Sequence, residues 1–500
     1  MDKLSVMSAL DALKQRLFDV NALEAATALM EWDHQTYMPE GSAAARAEHV
    51  GILSRMAHET FVADETLRLA EEARAEASTE DEKALVRVVR RDLDLKTKIP
   101  ASLVSEKVRV GSIAHEEWVK ARASNDFNSF APTLEKMFDI VRSEADHLGY
   151  QAHIYDALID QYEEGATHES CKLMFEGLKG PQVALVKAIT EAPGQPDDSF
   201  LYGEWDVDTQ RIFTEKLAKS IGFDFNHGRQ DIAAHPFCTN FSVGDVRLTT
   251  RYKDYLPSSI FATLHEAGHG MYEQGQRQDW DRTPLAGGVS LGVHESQSRT
   301  WENIVGRSRA FWNRFYPDLQ QAFPQLGSVN LDSFYRAVNK VERSYIRVEA
   351  DELTYNLHVL VRFEIESAVL DGTLAVKDIP DAWNAKYADY LGITPRNDAE
   401  GCLQDVHWSA GLIGYFPTYT MGNLLSYQIW NKLRADLGDT DALIEAGEFG
   451  PILGWLQEKV YRQGKKFPPT ELAIRVTGAP VTADAYLEGI SAKYRAIYGI

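Results

Sequence analysis

Apolar residues recur every three or four positions through almost all of the first 220 residues, the period of amphipathic helices. The pattern predicts helices over 3–19 and 22–33, then from Ser42 to about Arg55, and over 64–78, 81–96, 100–122, 127–148 and 168–192. Pro39 and Gly41 mark a turn, Pro100 sits near one helix start, and Pro181 is expected to bend or break the last of these helices. At 235–252 the pattern changes. Two β-rich runs flank Gly244-Asp245, which predicts a hairpin turning at that pair. On its second strand Asp245, Arg247 and Thr249 share one face, and Val246 and Leu248 take the other. Helical spacing then returns around Leu264, with Ser258 or Ser259 as cap and Gly275 as stop. Further helices are expected after Ser290, over 331–370 as one long helix or two in line, over 379–391, and through the last 80 residues to Tyr498. The reading is a mainly all-α protein with one small β-hairpin.

The helix after the hairpin carries Leu264-His265-Glu266-Ala267-Gly268-His269-Gly270. His265 and His269 stand one turn apart on one face, so both imidazoles reach a single ion about 2.0–2.1 Å away. Glu266 is turned by about 100° on the wheel, where it can face a metal-bound water rather than the metal. With 14 His in the chain, composition alone yields His-Glu-x-x-His roughly 0.04 times, so two surface histidines are the blander explanation and a weak one. Gly268 and Gly270 each cost roughly 1 kcal/mol against Ala in a helix, which points to close approach of another backbone or of substrate.

A catalytic zinc usually takes a third protein ligand. Glu295, 26 residues after His269 and near the start of the next helix, is the expected donor, with His294 and Glu302 as competitors. Glu302 shares the face of Glu295 and suits a supporting position. The Gly/Pro/Arg loop from Gln276 to Gly288 is a lid candidate. Arg347 and Asp351 fall at i,i+4, the spacing of an ordinary helical salt bridge, and Arg247 alone would be an ordinary surface ion pair. His407, Tyr415 and Tyr419 each offer a donor for an oxyanion, although Tyr most often serves packing. In Trp32-Asp33-His34 a packed Trp and a capping Asp explain the residues better than metal ligation does.

Net charge of −22 argues against nucleic-acid or anionic-membrane partners. Cys171, Cys238 and Cys402 are distant in sequence and odd in number, which fits a reducing cytoplasm rather than a disulfide framework. No apolar run approaches a signal peptide or a membrane span.

Six separated stretches together resemble the carboxypeptidase Taq family of metallocarboxypeptidases. They are His235-Pro236-Phe237; Asp245, Arg247 and Thr249; His265-Glu266 with His269; His294-Glu295-Ser296-Gln297; Ile346-Arg347 with Ala350-Asp351; and Gly401 with Gln404-Asp405 and His407-Trp408. They occur in order over 235–408 with no departure from the family pattern. The resemblance implies a zincin-like, neurolysin-like helical fold with a deep groove. It implies one multi-lobed catalytic domain over 1–500, comprising a helical lobe (1–230), a metal and substrate core (231–430) and C-terminal helices (431–500). It implies a zinc or cobalt ion, or another divalent metal, held by His265, His269 and Glu295, and Glu266 as general base and acid. It implies a homodimer that releases single residues from peptide carboxyl ends with broad specificity. Tyr419, then His407, are the further catalytic candidates. Arg347, Arg247, His235, Asp245, Thr249, Gln404, Asp405 and Tyr415 are the substrate-binding candidates, one of the arginines holding the terminal carboxylate. Two rivals remain. An endo-acting oligopeptidase would tolerate amidation of that carboxylate, and a helical binding protein would bind no stoichiometric metal.

Overall fold

The two expected amino-terminal helices are one. In the computed structural model, which describes residues 7–500, Ala9–Thr36 runs unbroken because Leu10, Leu13, Leu17 and Val20 keep a single buried face across the expected gap. Ser8 caps it, its hydroxyl accepting from the Asp11 amide. Residues 3–6 of the expected helix lie outside the described residues. The helices Ala43–Phe61, Asp64–Glu76, Glu80–Lys98, Ala101–Ser124, Phe127–Leu148 and His168–Thr190 follow the predicted pattern. The last passes straight through Pro181. Buried Phe175 and Leu178 before it, and Leu185 and Val186 after it, hold the helix to the core, outweighing the bond that proline removes.

The hairpin is present, shifted by one residue, and it belongs to a larger unit. Strands β1 (Gly228–Ile232), β2 (Cys238–Ser242) and β3 (Asp245–Thr250) form a sheet in the order β1-β3-β2. β2 and β3 pair antiparallel, and Ser242 pairs with Asp245, so Val243-Gly244 forms the turn instead of Gly244-Asp245. β1 pairs parallel with β3 and was not expected; its short Gly-Arg-Gln-Asp-Ile run has no clear alternation. β3 lies between its neighbours, and its inward Val246 and Leu248 pack beneath the next helix.

Residues 331–370 do not form one helix. Leu331–Val338 and Tyr355–Leu370 are helical, and the stretch between is irregular apart from one tight turn at Arg347–Glu349. Asp351 is consumed by that turn region, accepting from the Glu342, Leu353 and Thr354 amides, so the expected Arg347–Asp351 bridge does not form.

Three apolar cores hold these elements. The first joins the helices between Ala9 and Lys98 to Trp280 and Leu285. Those two residues belong to the expected lid, which is therefore pinned: Arg277 pairs with Asp81 at 2.8 Å and the Leu285 carbonyl accepts from the Lys465 amide. The second core surrounds the sheet with Leu264, Trp301 and Trp312, and the third gathers the Phe127–Leu148, His168–Thr190, Tyr355–Leu370 and Asp484–Tyr498 helices. Among the described residues no helix is long and apolar enough to cross a membrane.

Candidate metal centre and active site

The histidine helix spans Leu256–Gln274, with Pro257 in its first turn and Gly275 at its end. Neither expected serine caps it. Ser259 is buried and donates to Gln210 instead. The glutamate helix, Leu291–Arg299, is capped by Ser290, whose hydroxyl accepts from the Val293 amide. Glycines set the distance between these helices. A Cβ on Gly268 would lie 2.7 Å from Ser298 Cα and 2.8 Å from the Gln297 carbonyl oxygen. On the other side, a Cβ on Gly422 of the Pro417–Leu437 helix would lie 2.6 Å from Glu295 Cβ. The glutamate helix is thus clasped between two bare backbones.

This packing brings His265 Nε2 and His269 Nε2 each to 3.6 Å from Glu295 Oε2. The three donors lie within 4.8 Å of one another. A tetrahedral ion with 2.0–2.1 Å bonds spaces its ligand atoms by about 3.4 Å, so two imidazoles and one carboxylate in this arrangement fit a divalent metal of zinc's preference. The outer ring nitrogens are also engaged. His265 Nδ1 donates to Glu302 at 2.8 Å; His269 Nδ1 meets His294 Nδ1 at 2.6 Å, and His294 Nε2 donates to Glu273 at 2.8 Å. These contacts turn both Nε2 lone pairs toward Glu295. His294 and Glu302, the competing ligands, therefore support the donors from behind. Glu302 reaches its position on a π-helical stretch, Thr300–Val305, that continues the glutamate helix.

Arg299, which the sequence reading missed, lies between the two glutamates. It donates to Glu295 Oε1 at 2.6 Å and to Glu302 at 3.2 Å. Burial alone would raise both carboxyls, but the Arg299 and His265 charges hold them below the ordinary carboxylate range. Its spacing, four after Glu295 and three before Glu302, was the available signal. Glu266 is buried on the same helix, and burial pushes its carboxyl up to about 7.

A second cluster adjoins the first through Tyr355, which the pattern did not single out. The Arg299 guanidinium lies 4.6 Å from the centre of its ring, and its hydroxyl accepts from Arg347 Nη1 at 2.7 Å. Arg347 is buried, its Nε and Nη2 forked onto Asp405 at 3.0 and 2.8 Å. Gln404 accepts from the Arg347 amide and donates to the Tyr345 carbonyl, so its amide serves the loop. The Tyr419 ring stands 5.3 Å from the Arg347 guanidinium, and its hydroxyl contacts that of Tyr415 at 3.5 Å. His407 stacks on Tyr415, and burial, reinforced by Arg362, lowers its pKa to about 3, leaving it neutral.

The remaining expected substrate residues lie on or beside the sheet. Arg247 pairs with Asp245 at 3.0 Å and covers the Trp32 ring of the first helix at 4.3 Å, where Trp32 is packed as expected. Thr249 is fully buried, with its hydroxyl between the Phe237 amide and neighbouring carbonyls; His235 is exposed and offers only its carbonyl to it. The strand thus already uses the Thr249 hydroxyl, while the His235 side chain stays at the surface.

Two helices that clamp a His-Glu-His donor set beside a buried, carboxylate-held arginine define a helical protein built to hold a divalent metal. The chain matches the family model described as carboxypeptidase Taq (M32) metallopeptidase over residues 12–494. It is 40% identical to carboxypeptidase 1 of Bacillus subtilis over 478 residues, covering 95% of each chain. It is also 40% identical to thermostable carboxypeptidase 1 of Thermus thermophilus over 486 residues, covering 94% of this chain and 95% of that one. The crystal structure of the M32 carboxypeptidase from Deinococcus radiodurans R1 superposes with a TM-score of 0.96 at 40% identity, covering 98% of this chain and all of that one. The protein belongs to the carboxypeptidase Taq family of metallopeptidases. It is a metal-dependent carboxypeptidase, a hydrolase acting on peptides.

Proposed function

We propose that the enzyme releases single residues from peptide carboxyl ends with broad specificity, using zinc held by His265, His269 and Glu295. The observation that carries this reading is the link through Tyr355 between the metal-donor cluster and Arg347. An exopeptidase needs these two parts side by side: a hydrolytic centre and a fixed cation that reads the free carboxylate. A bound divalent ion supplies Lewis-acid polarisation of the scissile carbonyl and acidification of water. The chain's residues do the rest. Glu266 takes the proton of the attacking water and returns it to the leaving amine. Arg347, oriented by Asp405 and Tyr355, presents its unused N–H groups to the terminal carboxylate. Tyr419, ahead of Tyr415 and His407, donates to the developing oxyanion. Arg247 with Asp245 braces the sheet on which β2 is an outer strand. The whole chain works as one catalytic unit, since its apolar cores mix segments distant in sequence. The family resemblance supports a homodimer, and the three unpaired cysteines fit a cytoplasmic setting.

The test is mass spectrometry of one unblocked peptide and its C-terminal amide, each digested with and without chelator. Stepwise loss of single residues from the free acid alone, abolished by chelator, is expected. Internal fragments, or equal cutting of the amide, would overturn the reading.

A further inference from the structure

Behind Arg347 lies a second arginine that no part of the proposed mechanism uses. Arg362 on the Tyr355–Leu370 helix is fully buried, as is its partner Glu366 one turn on, and they meet at 3.1 Å. Its guanidinium lies between Trp408 and Phe416, 4.3 and 4.0 Å from their ring centres. Nη1 and Nη2 have no hydrogen-bond partner, and Nη1 stands 3.7 Å from Asp405 Oδ2, the carboxylate that forks Arg347. A buried guanidinium with two bare nitrogens is costly, and here its charge faces Asp405. Glu366 gathers the other side of the site. It accepts from Trp408 Nε1 at 2.9 Å, the Gly414 amide at 3.2 Å and Tyr155 at 3.2 Å. Trp408 follows His407, and Gly414 opens the loop to Tyr415 and Tyr419.

We infer that Arg362 and Glu366 are positioning residues for carboxylate recognition: the Arg362 charge holds Asp405 in place from behind, so that Arg347 presents a fixed fork, and Glu366 ties the tyrosine loop to the same unit. The inference rests on the proposed role of Arg347. Neither residue touches substrate.

The test uses the metal-loaded enzyme and three variants. Arg362→Gln removes the charge, Arg362→Lys keeps it, and Arg347→Met removes the proposed carboxylate reader. Two readouts are taken: kcat and KM on an N-blocked peptide, and the ratio of Kd values for the amide and free acid of a peptide whose terminal bond is reduced and uncleavable. Arg362→Gln should raise KM by roughly tenfold with kcat within about threefold, and should lower the amide-to-acid ratio by a similar factor. Arg362→Lys should recover most of both. A merely packing role would not distinguish Lys from Gln, and that equality, or an unchanged KM in Arg362→Gln, overturns the inference. If Arg362→Gln does not fold, Arg362→Met with Glu366→Gln removes both charges together while keeping a side-chain acceptor for the Trp408 and Gly414 donors; it must show the same KM rise, and no rise overturns the inference. Arg347→Met separates the two ideas. If it keeps the acid preference, the reading of Arg347 fails; if it loses it while Arg362→Gln keeps it, only the present inference fails.

Discussion

Gly268→Ala should loosen the metal site by moving a helix rather than by touching a ligand. The added Cβ would meet Ser298 Cα at 2.7 Å and the Gln297 carbonyl oxygen at 2.8 Å, both backbone atoms that cannot rotate away. Ordinary contact begins near 3.4 Å, so the histidine and glutamate helices must part by about 0.7 Å in a close-packed interior. The 3.6 Å gap from each Nε2 to Glu295 Oε2 then widens toward about 4 Å, near the limit that two bonds of 2.0–2.1 Å can span. Alanine gains about 1 kcal/mol of helix propensity, and overpacking costs about 1–3 kcal/mol, so the metal-free protein should lose about 0–2 kcal/mol. Zinc affinity should fall more, on the order of 10–100-fold, the usual scale for disturbing the support of a ligand. Competition with a chromophoric chelator measures the affinity, and urea unfolding measures the stability. Gly270→Ala is the control. Its Cβ would meet the Phe223 ring and a Leu248 methyl, side-chain atoms that can yield, so zinc affinity should stay within about threefold. If Gly268→Ala binds zinc as tightly as the wild type, helix spacing does not set the site.

Glu266→Gln should retain zinc by metal analysis and lose kcat by about 10²–10⁴-fold; a variant without metal would put Glu266 in the ligand set instead. Tyr419→Phe should lower kcat by about 10²–10³-fold in steady-state assays, and an unchanged rate would move the oxyanion role to Tyr415 or His407. Glu302→Gln weakens the outer bond to His265 and should reduce zinc affinity by about 10–100-fold in the chelator competition. Glu163 caps the glutamate helix, accepting from Ser290 and the Gly292 amide, and burial pushes its carboxyl up to about 7. Between its unfolded value near 4.5 and about 7 the native state holds the extra proton, so Glu163 lowers stability as pH rises through that window. Glu163→Gln should therefore compare better with wild type at pH 8 than at pH 5 in urea titrations, and a pH-independent difference would count against the buried acid.

The meeting of the three candidate donors was legible because a helix fixes His265 and His269 one turn apart, and because Ser290 marks where the next helix begins. Their separation from Glu295 was not legible, since it depends on Gly268 and Gly422 meeting backbone and side chain across helices. Gly268 itself signalled a close approach. Periodicity misled at 331–370, where apolar spacing continues through a stretch whose backbone bends around Asp351 and delivers Arg347 to Asp405, 58 residues away. That pairing also explains why Arg347 looked like half of a local salt bridge. The expected lid failed for a related reason: Trp280 and Leu285 are buried by helices between Ala9 and Lys98, and nothing in the loop's own composition reports that. Tyr355, Arg362 and Glu366 lie in a continuous apolar helix, where local pattern cannot separate a packed residue from one that joins two clusters.

The central claim is one cation shared by two imidazoles and a carboxylate from two helices. Anomalous diffraction at the zinc edge from crystals of the metal-loaded enzyme tests it most directly. The account predicts a single peak about 2.0–2.1 Å from His265 Nε2, His269 Nε2 and Glu295 Oε2. A peak that leaves Glu295 uncoordinated, or that lies on His294 or Glu302 instead, would contradict it.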